Sequence, residues 1–358
     1  MKKRCLIRIF TLFFLFLFAG GYRAFAEANN LSFSMNVIQP ENQVDKSVTY
    51  FDILTKPGDK QKLELQVTNT GKNEEVIVIT PTNAVTNSSG VLDYSIKDKE
   101  YEYDETLTIP FTSLVSAAQE VKVGPGKTEV VSFDFNAPEQ PFNGIILGGF
   151  LAKTLDKDNN TTNSKNKVSF INKFQVVKAV MIRSSEDTKV EPNIKLNEVK
   201  PALHNYRTSV IANIQNTTPV LLKQVQVKAE IVKSGSSKVV KSVFRNDIEL
   251  APNTNFNFPI MWGSDPLEAG EYTLNLSVNT EEKEFIFDRT FNISKEDSYR
   301  INEKAVNVKE EKKDYMIWII LGIVIGVLIV ILLVFVLYKQ NKLSKKQKNK
   351  GKSKKHKK

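Results

Sequence analysis

Carboxylates are the first residues in this sequence whose types and spacing suggest chemistry. Asp93, Asp98, Asp104 and Glu105 fall within one short segment. Two carboxyl groups at a suitable separation are enough to hydrolyse a glycosidic bond, one as the acid and the other as the nucleophile or base. Spacing along a chain made of strands says little about distance in space. A hydrolase that uses a carboxylate pair therefore stays open as an alternative function.

Other catalytic groups are scarce. The chain has two His residues, His204 and His356, and a single Cys, Cys5. Cys5 precedes an N-terminal apolar run and His356 follows a C-terminal one, so His204 stands alone in the long region between them. This excludes metal sites built from several His residues and Cys–His dyads there, and we expect His204, which lies between two predicted strands, to be in a surface loop rather than in a catalytic site. We predict that the protein is not an enzyme and needs no metal or cofactor.

Aromatic residues beside polar ones point to binding rather than catalysis. Tyr101 and Tyr103 belong to this group, and a ring with neighbouring amide or hydroxyl groups suits a carbohydrate or peptide groove. The alternative is that such rings fill a folded core. No residue is assigned to a protein partner. The candidate residues for binding a glycan or peptide are Tyr50, Phe51, Asn83, Asn87 and Tyr94.

The elements that must position these residues are strands. Segments such as QKLELQV (61–67) and LKQVQVKA (222–229) alternate apolar and polar residues, and turn sequences such as Gly124-Pro125-Gly126 separate them. We expect Gly148-Gly149 to allow close strand packing and Trp262 to lie in a core. The polar run 155–167 separates two series of strands, the second starting with VSFINKFQVVKAVMI (168–182). The pattern predicts an all-β ectodomain of two immunoglobulin-like β-sandwich domains in tandem.

Both ends of the chain carry signals for export and membrane insertion. The N-terminus has the three features of a cleaved signal peptide: basic residues, the apolar run Ile9 to Phe18 and the small-x-small sequence Ala24-Phe25-Ala26. Met316 to Tyr338 is apolar throughout and long enough to cross a hydrocarbon core of roughly 30 Å as one helix. Eleven Lys residues and no acidic residue follow it. The positive-inside rule therefore predicts a cytoplasmic C-terminus and an ectodomain outside the cell.

The formal net charge of +10 and the pI near 9.3 come from these two ends, so charge does not indicate a nucleic-acid partner. Ser294 to Asp314 is charged and has no periodicity, which is typical of a stalk. The predicted organisation is a signal peptide (1–26), a first sandwich (27–154), a linker or exposed loop (155–167), a second sandwich (168–294), a juxtamembrane stalk (295–314), a transmembrane helix (315–338) and a Lys-rich cytoplasmic tail (339–358).

Both predicted sandwiches contain an ordered set of recognisable segments. The segments in the first sandwich are 35–45 (MNVIQPENQVD), 50–71, 83–94 and 141–150 (PFNGIILGGF). Those in the second are 172–182, 195–231, 250–263 (LAPNTNFNFPIMWG) and 267–276. This set extends over most of the predicted ectodomain and resembles the WxL-interacting protein family of Gram-positive bacteria.

The resemblance implies a cell-surface adaptor in which the first domain binds peptidoglycan and the second binds WxL-domain proteins. The protein would sit in the cell membrane through one helix, with its ectodomain facing the cell wall. No binding residue of the family is carried over to this sequence. A wall-active hydrolase with a carboxylate pair and a structural stalk without a ligand stay open as alternatives.

Overall fold

The strands of the molecule belong to one part of the described chain and its longest helix to another. The computed structural model describes residues 32–155, 174–186, 189–306, 308 and 316–353. The predicted signal peptide and the predicted linker from residue 156 onward lie outside these residues. Residues up to 307 form one compact unit, and the C-terminal helix belongs to a second unit.

The first sandwich pairs a three-stranded sheet with a five-stranded sheet. In sheet order, the smaller sheet contains β1 (Phe33–Ile38), β3 (Lys60–Asn69) and β8 (Thr128–Asn136). The larger contains β2 (Phe51–Leu54), β10 (Gln175–Arg183), β9 (Ile145–Thr154), β4 (Glu75–Asn83) and β7 (Gln119–Val123). A two-stranded hairpin, β5 (Val85–Thr86) and β6 (Leu92–Asp93), projects from this sandwich.

The predicted alternation of apolar and polar residues accounts for the burial pattern of the smaller sheet. In β3 the side chains of Leu63, Leu65 and Val67 are fully buried, and those between them face outward. The central strand β9 differs, because residues 146–152 are buried on both faces. A Cβ atom at Gly148 would lie 2.3 Å from the ring of Phe111, so the predicted close packing at this glycine is confirmed.

The strand that was expected to open the second sandwich lies in the first. β10 runs antiparallel to β9, with Gln175 opposite Lys153, and parallel to β2, with Phe51 opposite Val180. Its Val180 and Ile182 are fully buried in the core of the first sandwich. The apolar run predicts a buried strand but not its neighbours, since pairing partners depend on tertiary contacts. The first sandwich therefore extends past the polar 155–167 segment.

The second sandwich packs a three-stranded sheet against a four-stranded sheet, and all of its strand pairs are antiparallel. The smaller sheet contains β11 (Ile194–His204), β12 (Arg207–Asn216) and β15 (Thr254–Met261). The larger contains β14 (Val239–Leu250), β13 (Leu222–Lys233), β16 (Gly270–Asn279) and β17 (Glu284–Ile293). Two tandem all-β sandwiches are therefore present, as the sequence predicts.

Trp262 lies in the core of the second sandwich, as predicted. Its side chain is 3% exposed and meets the ring of Tyr272 edge to face, with 5.7 Å between the ring centroids. The indole Nε1 donates a hydrogen bond of 3.2 Å to the Pro266 carbonyl, so its polar atom is satisfied inside the core. This arrangement accounts for the residue without a ligand.

The first part of the predicted stalk is a helix packed on the second sandwich. Helix α1 (Lys295–Lys304) starts at the N-cap Ser294, whose hydroxyl accepts a hydrogen bond from the Asp297 amide. Ile301 is 1% exposed and belongs to the core cluster. Asn302 is hydrogen-bonded to the backbone of Leu267. The prediction of a stalk was wrong for these residues. Only one of the ten helical side chains is buried, and this leaves an apolar periodicity too weak to recognise in the sequence.

Helix α2 (Met316–Ser353) contains the apolar run. Its segment Trp318–Lys339 is long and apolar enough to cross a membrane, and it is the one helix in the described part of the chain that meets this test. The helix continues beyond Tyr338 into the Lys-rich segment. The single predicted transmembrane helix thus has its counterpart in the structure.

Candidate functional site

Phe51 is a core residue rather than an exposed binding platform. Its side chain is fully buried in the first sandwich. Its ring meets that of Phe150 edge to face at a centroid distance of 6.1 Å. A ligand could contact Phe51 only if the core opened, so its expected exposure was wrong. Tyr50 lies just before β2 and is half-buried, whereas Phe51 is the first residue of the strand and is fully buried.

Both candidate Asn residues hold local backbone structure. Asn83 is 3% exposed, donates to the Thr112 hydroxyl at 3.2 Å and accepts from the Thr112 amide at 3.0 Å. Asn87 accepts from the Ser89 amide at 2.8 Å and so forms the turn of the β5–β6 hairpin. These bonds explain both Asn residues, and a role in ligand binding stays a prediction.

Tyr50 and Tyr94 come together, as half-buried residues packed around Leu147 and Met181. Leu221 of the second sandwich belongs to the same cluster. Burial raises the pKa of Tyr94 strongly, and the charge of Glu249 and the nearby Tyr50 add to this shift. Burial also raises the pKa of Tyr50. The two rings therefore lie beside the second sandwich, and their binding of a glycan or peptide stays a prediction.

The aromatic pair that faces solvent is Tyr101 and Tyr103. These side chains are 39% and 38% exposed, and their ring centroids lie 4.9 Å apart in an edge-to-face contact. The Lys97 ammonium lies 5.4 Å from the Tyr101 centroid, and it also pairs with Asp93. The sequence places both tyrosines among the aromatic residues of interest, but spacing alone cannot rank them above the buried Phe51.

The carboxylates of this segment act as structural acceptors. Burial acts to raise the pKa of Asp93, but hydrogen bonds from Lys97 and Ser95 outweigh it and lower the pKa. Burial also acts to raise the pKa of Asp104. Hydrogen bonds from Asn255, Thr106 and Gln215 outweigh this effect, so the pKa of Asp104 is lowered as well. Both groups are ionised at neutral pH. Neither has the raised pKa that a general acid of a glycosidase requires.

Asp104 also joins the two sandwiches. Its Oδ1 accepts a hydrogen bond from the Gln215 amide at 2.9 Å, and its Oδ2 accepts one from the Asn255 amide at 2.6 Å. Both amides belong to the second sandwich. Hydrogen bonds donated to an ionised acceptor are roughly twice as strong as those between neutral groups. The loop that carries the exposed tyrosines is therefore held directly on the second sandwich.

Further contacts continue this junction. The Ala251 amide donates to the Thr86 hydroxyl at 2.8 Å, and the Glu249 amide donates to the Gly90 carbonyl at 2.8 Å. The Ile145 amide donates to the Pro219 carbonyl at 2.7 Å. Backbone groups of both sandwiches thus pair with each other, so the two sandwiches form a common structural unit rather than two loosely linked domains.

A cleft of about 290 Å³ lies at the same junction. Its lining combines apolar side chains with hydroxyl and amide groups and includes no charged residue. Residues from both sandwiches contribute to it, among them Thr108, Phe142, Asn143, Pro219 and Asn253. In the part of the chain that the structure describes, no group of three or more His, Cys, Asp or Glu residues could hold a metal ion.

Solved structures with a detectable likeness to this chain include several chaperones. The class 5 fimbriae chaperone CfaA is 14% identical, the match covers 72% of this chain and 99% of that one, and the TM-score is 0.27. The YadV chaperone is 10% identical, with coverages of 74% and 100% and a TM-score of 0.26. The CupB2 chaperone of Pseudomonas aeruginosa is 15% identical, with coverages of 64% and 92% and a TM-score of 0.25. No functional conclusion rests on scores of this size.

Protein-family models match both sandwiches. Residues 33–154 match the peptidoglycan binding domain of the WxL Interacting Protein family, and residues 165–303 match its host binding domain. The curated proteins compared with this sequence include no match. The two family matches follow each other along the chain and together span nearly all of the described residues that precede helix α2. The chain therefore belongs to the WxL-interacting protein family.

Proposed function

We propose that this protein is a membrane-anchored adaptor that binds peptidoglycan through its first sandwich and a WxL-domain protein through its second. The observation that carries the proposal is the pair of family matches, one to a peptidoglycan binding domain and one to a host binding domain. Helix α2 would anchor the chain, with its Lys-rich end in the cytoplasm and both sandwiches facing the wall.

The junction between the sandwiches suits such a role. A ligand held by one sandwich lies at a defined distance from a ligand held by the other, because hydrogen bonds such as those of Asp104 join the two. Linked weak contacts raise the effective concentration of each ligand at the wall without any new chemistry. The adaptor would thus retain a surface protein near peptidoglycan even where each separate affinity is low.

A host-cell surface protein is a second candidate partner for the second sandwich. The description of the matching family model favours it, since that domain is called host binding and names no WxL protein as its ligand. Both candidates agree with a binding domain. They differ in whether the partner comes from the bacterium itself or from the host.

A hydrolytic function has less support. Both matched models describe binding domains, and the ionised carboxylates Asp93 and Asp104 are occupied by hydrogen bonds within the protein. The expected result of long incubation with purified wall is therefore unchanged wall. Release of muropeptides or new reducing ends would instead favour the hydrolase.

The full chain in detergent micelles can test the adaptor in three parallel assays. We expect it to sediment with purified peptidoglycan sacculi and to bind a purified WxL-domain protein in surface plasmon resonance. Binding to intact host cells, measured by flow cytometry, distinguishes a host-cell surface protein from a WxL-domain protein as the partner. Failure to sediment with sacculi would contradict the role of the first sandwich. Binding to host cells without WxL binding would replace the proposed partner.

A further inference from the structure

Four asparagines form a hydrogen-bonded row across the outer face of the smaller sheet in the second sandwich. Asn213 donates to the side-chain oxygens of Asn255 at 3.0 Å and Asn257 at 2.9 Å. Asn197 donates to the oxygen of Asn213 at 3.0 Å. We call these four residues, from β11, β12 and β15, the amide ladder. They connect all three strands of the sheet.

Strand alternation places the ladder on the outer face. In β12 and β15 the residues on either side of the ladder positions, such as Ile214 and Phe256, belong to the buried core. Register sets Asn213 opposite Asn257 and Gln215 opposite Asn255. Asn197 and Asn257 are exposed to solvent. An amide side chain offers two donors and an oxygen with two lone pairs, and the bonds within the ladder use only part of this capacity.

The ladder is joined through Asp104 to the segment of the first sandwich that carries the exposed tyrosine pair. Asn255 donates to Asp104, which follows Tyr103 in the chain, and Tyr103 packs on Tyr101. The Tyr101 pKa is raised, first by burial and then by Tyr103, Asp93 and Asp104, which agrees with a position close to the Asp104 carboxylate. One continuous strip thus combines exposed rings from one sandwich with amides from the other.

The chemistry of this strip suits an uncharged, amide-bearing polysaccharide. Sugar rings present flat apolar patches that pack on aromatic faces, while their hydroxyl and N-acetyl groups pair with amide donors and acceptors. The four ladder residues carry no charge. Flanking ionic groups are largely paired with each other, as in Lys97–Asp93 and Lys200–Glu198. Two cationic side chains lie near the ladder: Lys195, opposite Gln215, and Arg289, whose guanidinium donates to the backbone carbonyls of Leu196 and Asn197.

A protein partner would find better anchors elsewhere. The large exposed apolar side chains of the second sandwich include Phe244 at 61% and Ile286 at 70%, and both lie in the other sheet. Protein interfaces draw most of their affinity from buried aromatic and aliphatic anchors. The amide ladder contains no such anchor, and the adjoining Tyr101 and Tyr103 are less exposed than Phe244 and Ile286, so the composition of this surface favours a glycan over a protein.

We propose that the amide ladder and the Tyr101–Tyr103 pair form one surface that binds the N-acetylated glycan strand of peptidoglycan. The proposal rests on the proposed peptidoglycan function and adds two points to it. The recognised part of the wall is the sugar backbone rather than the stem peptide, and the second sandwich contributes to recognition. The binding surface therefore crosses the boundary between the two family domains.

Two assays of the full chain in detergent micelles test the proposal. The first is sedimentation with intact sacculi, and the second is binding to amidase-treated glycan strands that lack stem peptides. We expect the wild type to bind both. Changing Tyr101 and Tyr103 together to Ala should weaken binding roughly tenfold, because two exposed rings are lost. Asn257→Ala should weaken it several-fold. The matched control is Asn275→Ala, another exposed strand Asn, on the four-stranded sheet, which should bind like the wild type.

The outcomes separate this inference from the function on which it rests. A wild type that fails to bind sacculi contradicts the peptidoglycan function itself. A wild type that binds sacculi, with ladder and tyrosine variants that bind equally well, overturns only the surface proposed here. Binding to soluble stem peptides but not to stripped glycan also overturns it. Thermal unfolding of each variant shows whether weaker binding comes from misfolding, and Asn197→Ala supplies a second ladder variant if Asn257→Ala is unstable.

Discussion

The two sandwiches use the same kind of strand but close their sheets differently. In the second, β13 pairs with the following β14, β16 with the following β17, and the helix α1 that ends the domain packs onto its own core. In the first, β10 arrives from beyond the polar 155–167 segment and inserts between β2 and β9. The second sandwich therefore holds its parts within one continuous stretch of chain, whereas the first depends on a strand that lies within the second family match.

This difference shows that a family boundary and a folding boundary need not coincide. The peptidoglycan-binding match ends at residue 154, yet the sheet it describes is completed by residues 175–183. The junction contacts of Asp104 and Thr86 then attach the completed sandwich to its neighbour.

The largest effect should come from cutting the first sandwich before β10. A fragment of residues 27–155 leaves β2 and β9 without their shared neighbour and loses Val180 and Ile182 from the core. Those two side chains alone contribute about 3–6 kcal/mol, against a total domain stability of about 5–15 kcal/mol. We expect no cooperative thermal transition by circular dichroism for this fragment, and a cooperative one for residues 27–186. Equal melting of both fragments would show that β10 is dispensable.

The next largest effect should come from Gly144→Ala at the junction. Gly144 has φ +89°, and a Cβ atom there would lie 2.3 Å from the Pro219 carbonyl oxygen of the second sandwich. We expect a loss of about 3 kcal/mol or more in urea unfolding, from backbone strain plus the displaced contact. Gly126→Ala is the matched control, with φ +66° but open space around its Cβ position, and should cost about 1–2 kcal/mol. Similar losses of unfolding free energy in both variants would mean that backbone strain alone, and not the contact with Pro219, causes the destabilisation.

Removing the helix contact should weaken the second sandwich by a smaller amount. Ile301→Ala deletes the one buried side chain of α1 from the core and should cost about 2–4 kcal/mol. Tyr299→Ala, on the same helix but 70% exposed, should change the free energy of unfolding by less than about 0.5 kcal/mol. Chemical unfolding followed through Trp262 fluorescence can compare them. If Ile301→Ala left the free energy of unfolding unchanged, the interpretation of this segment as a stalk would be restored.

The smallest effect concerns the pH dependence of the junction. The pKa of Asp104 is lowered in the folded protein, so its contribution to stability is complete above the unfolded pKa of about 3.9 and is lost as pH falls through the lower folded pKa. We expect Asp104→Asn to be less stable than wild type at pH 7 by about 1–2 kcal/mol, with the difference shrinking toward pH 3. Denaturant unfolding across this range measures it.

Asp45→Asn is the control for that comparison. The pKa of Asp45 is also lowered, by hydrogen bonds from Ser47, but this group is fully exposed and makes no contact with the second sandwich among the described residues. It reports the pH dependence of an ordinary surface turn. A difference between wild type and Asp104→Asn that stays constant from pH 7 to pH 3 would argue against an ionised Asp104 as the source of the stabilisation.

Sequence patterns predicted the class of most strands and of the long helix, but not which elements pack beside them. Alternation identified β3 and β13, and the apolar run identified the helix, because these signals repeat along the chain itself. The membership of β10 depends on which sheet edge it meets after the chain has folded, and α1 is recognisable only through its contact with the core. Among the candidate site residues, Phe51 looks like Tyr101 in sequence, and only burial tells them apart.

The sequence by itself determined that this is an all-β protein of two sandwiches with one helix able to span a membrane, and its ordered segments identified the family. Local periodicity and composition encode these properties, since they follow from how side chains alternate along a strand or cover a helix. Only the tertiary structure decided that β10 completes the first sandwich, and that Asp104, next to Tyr103 in the chain, ties the sandwiches together and is hydrogen-bonded to the amide ladder. Each of these joins residues far apart in the chain, and no local pattern records such a pairing.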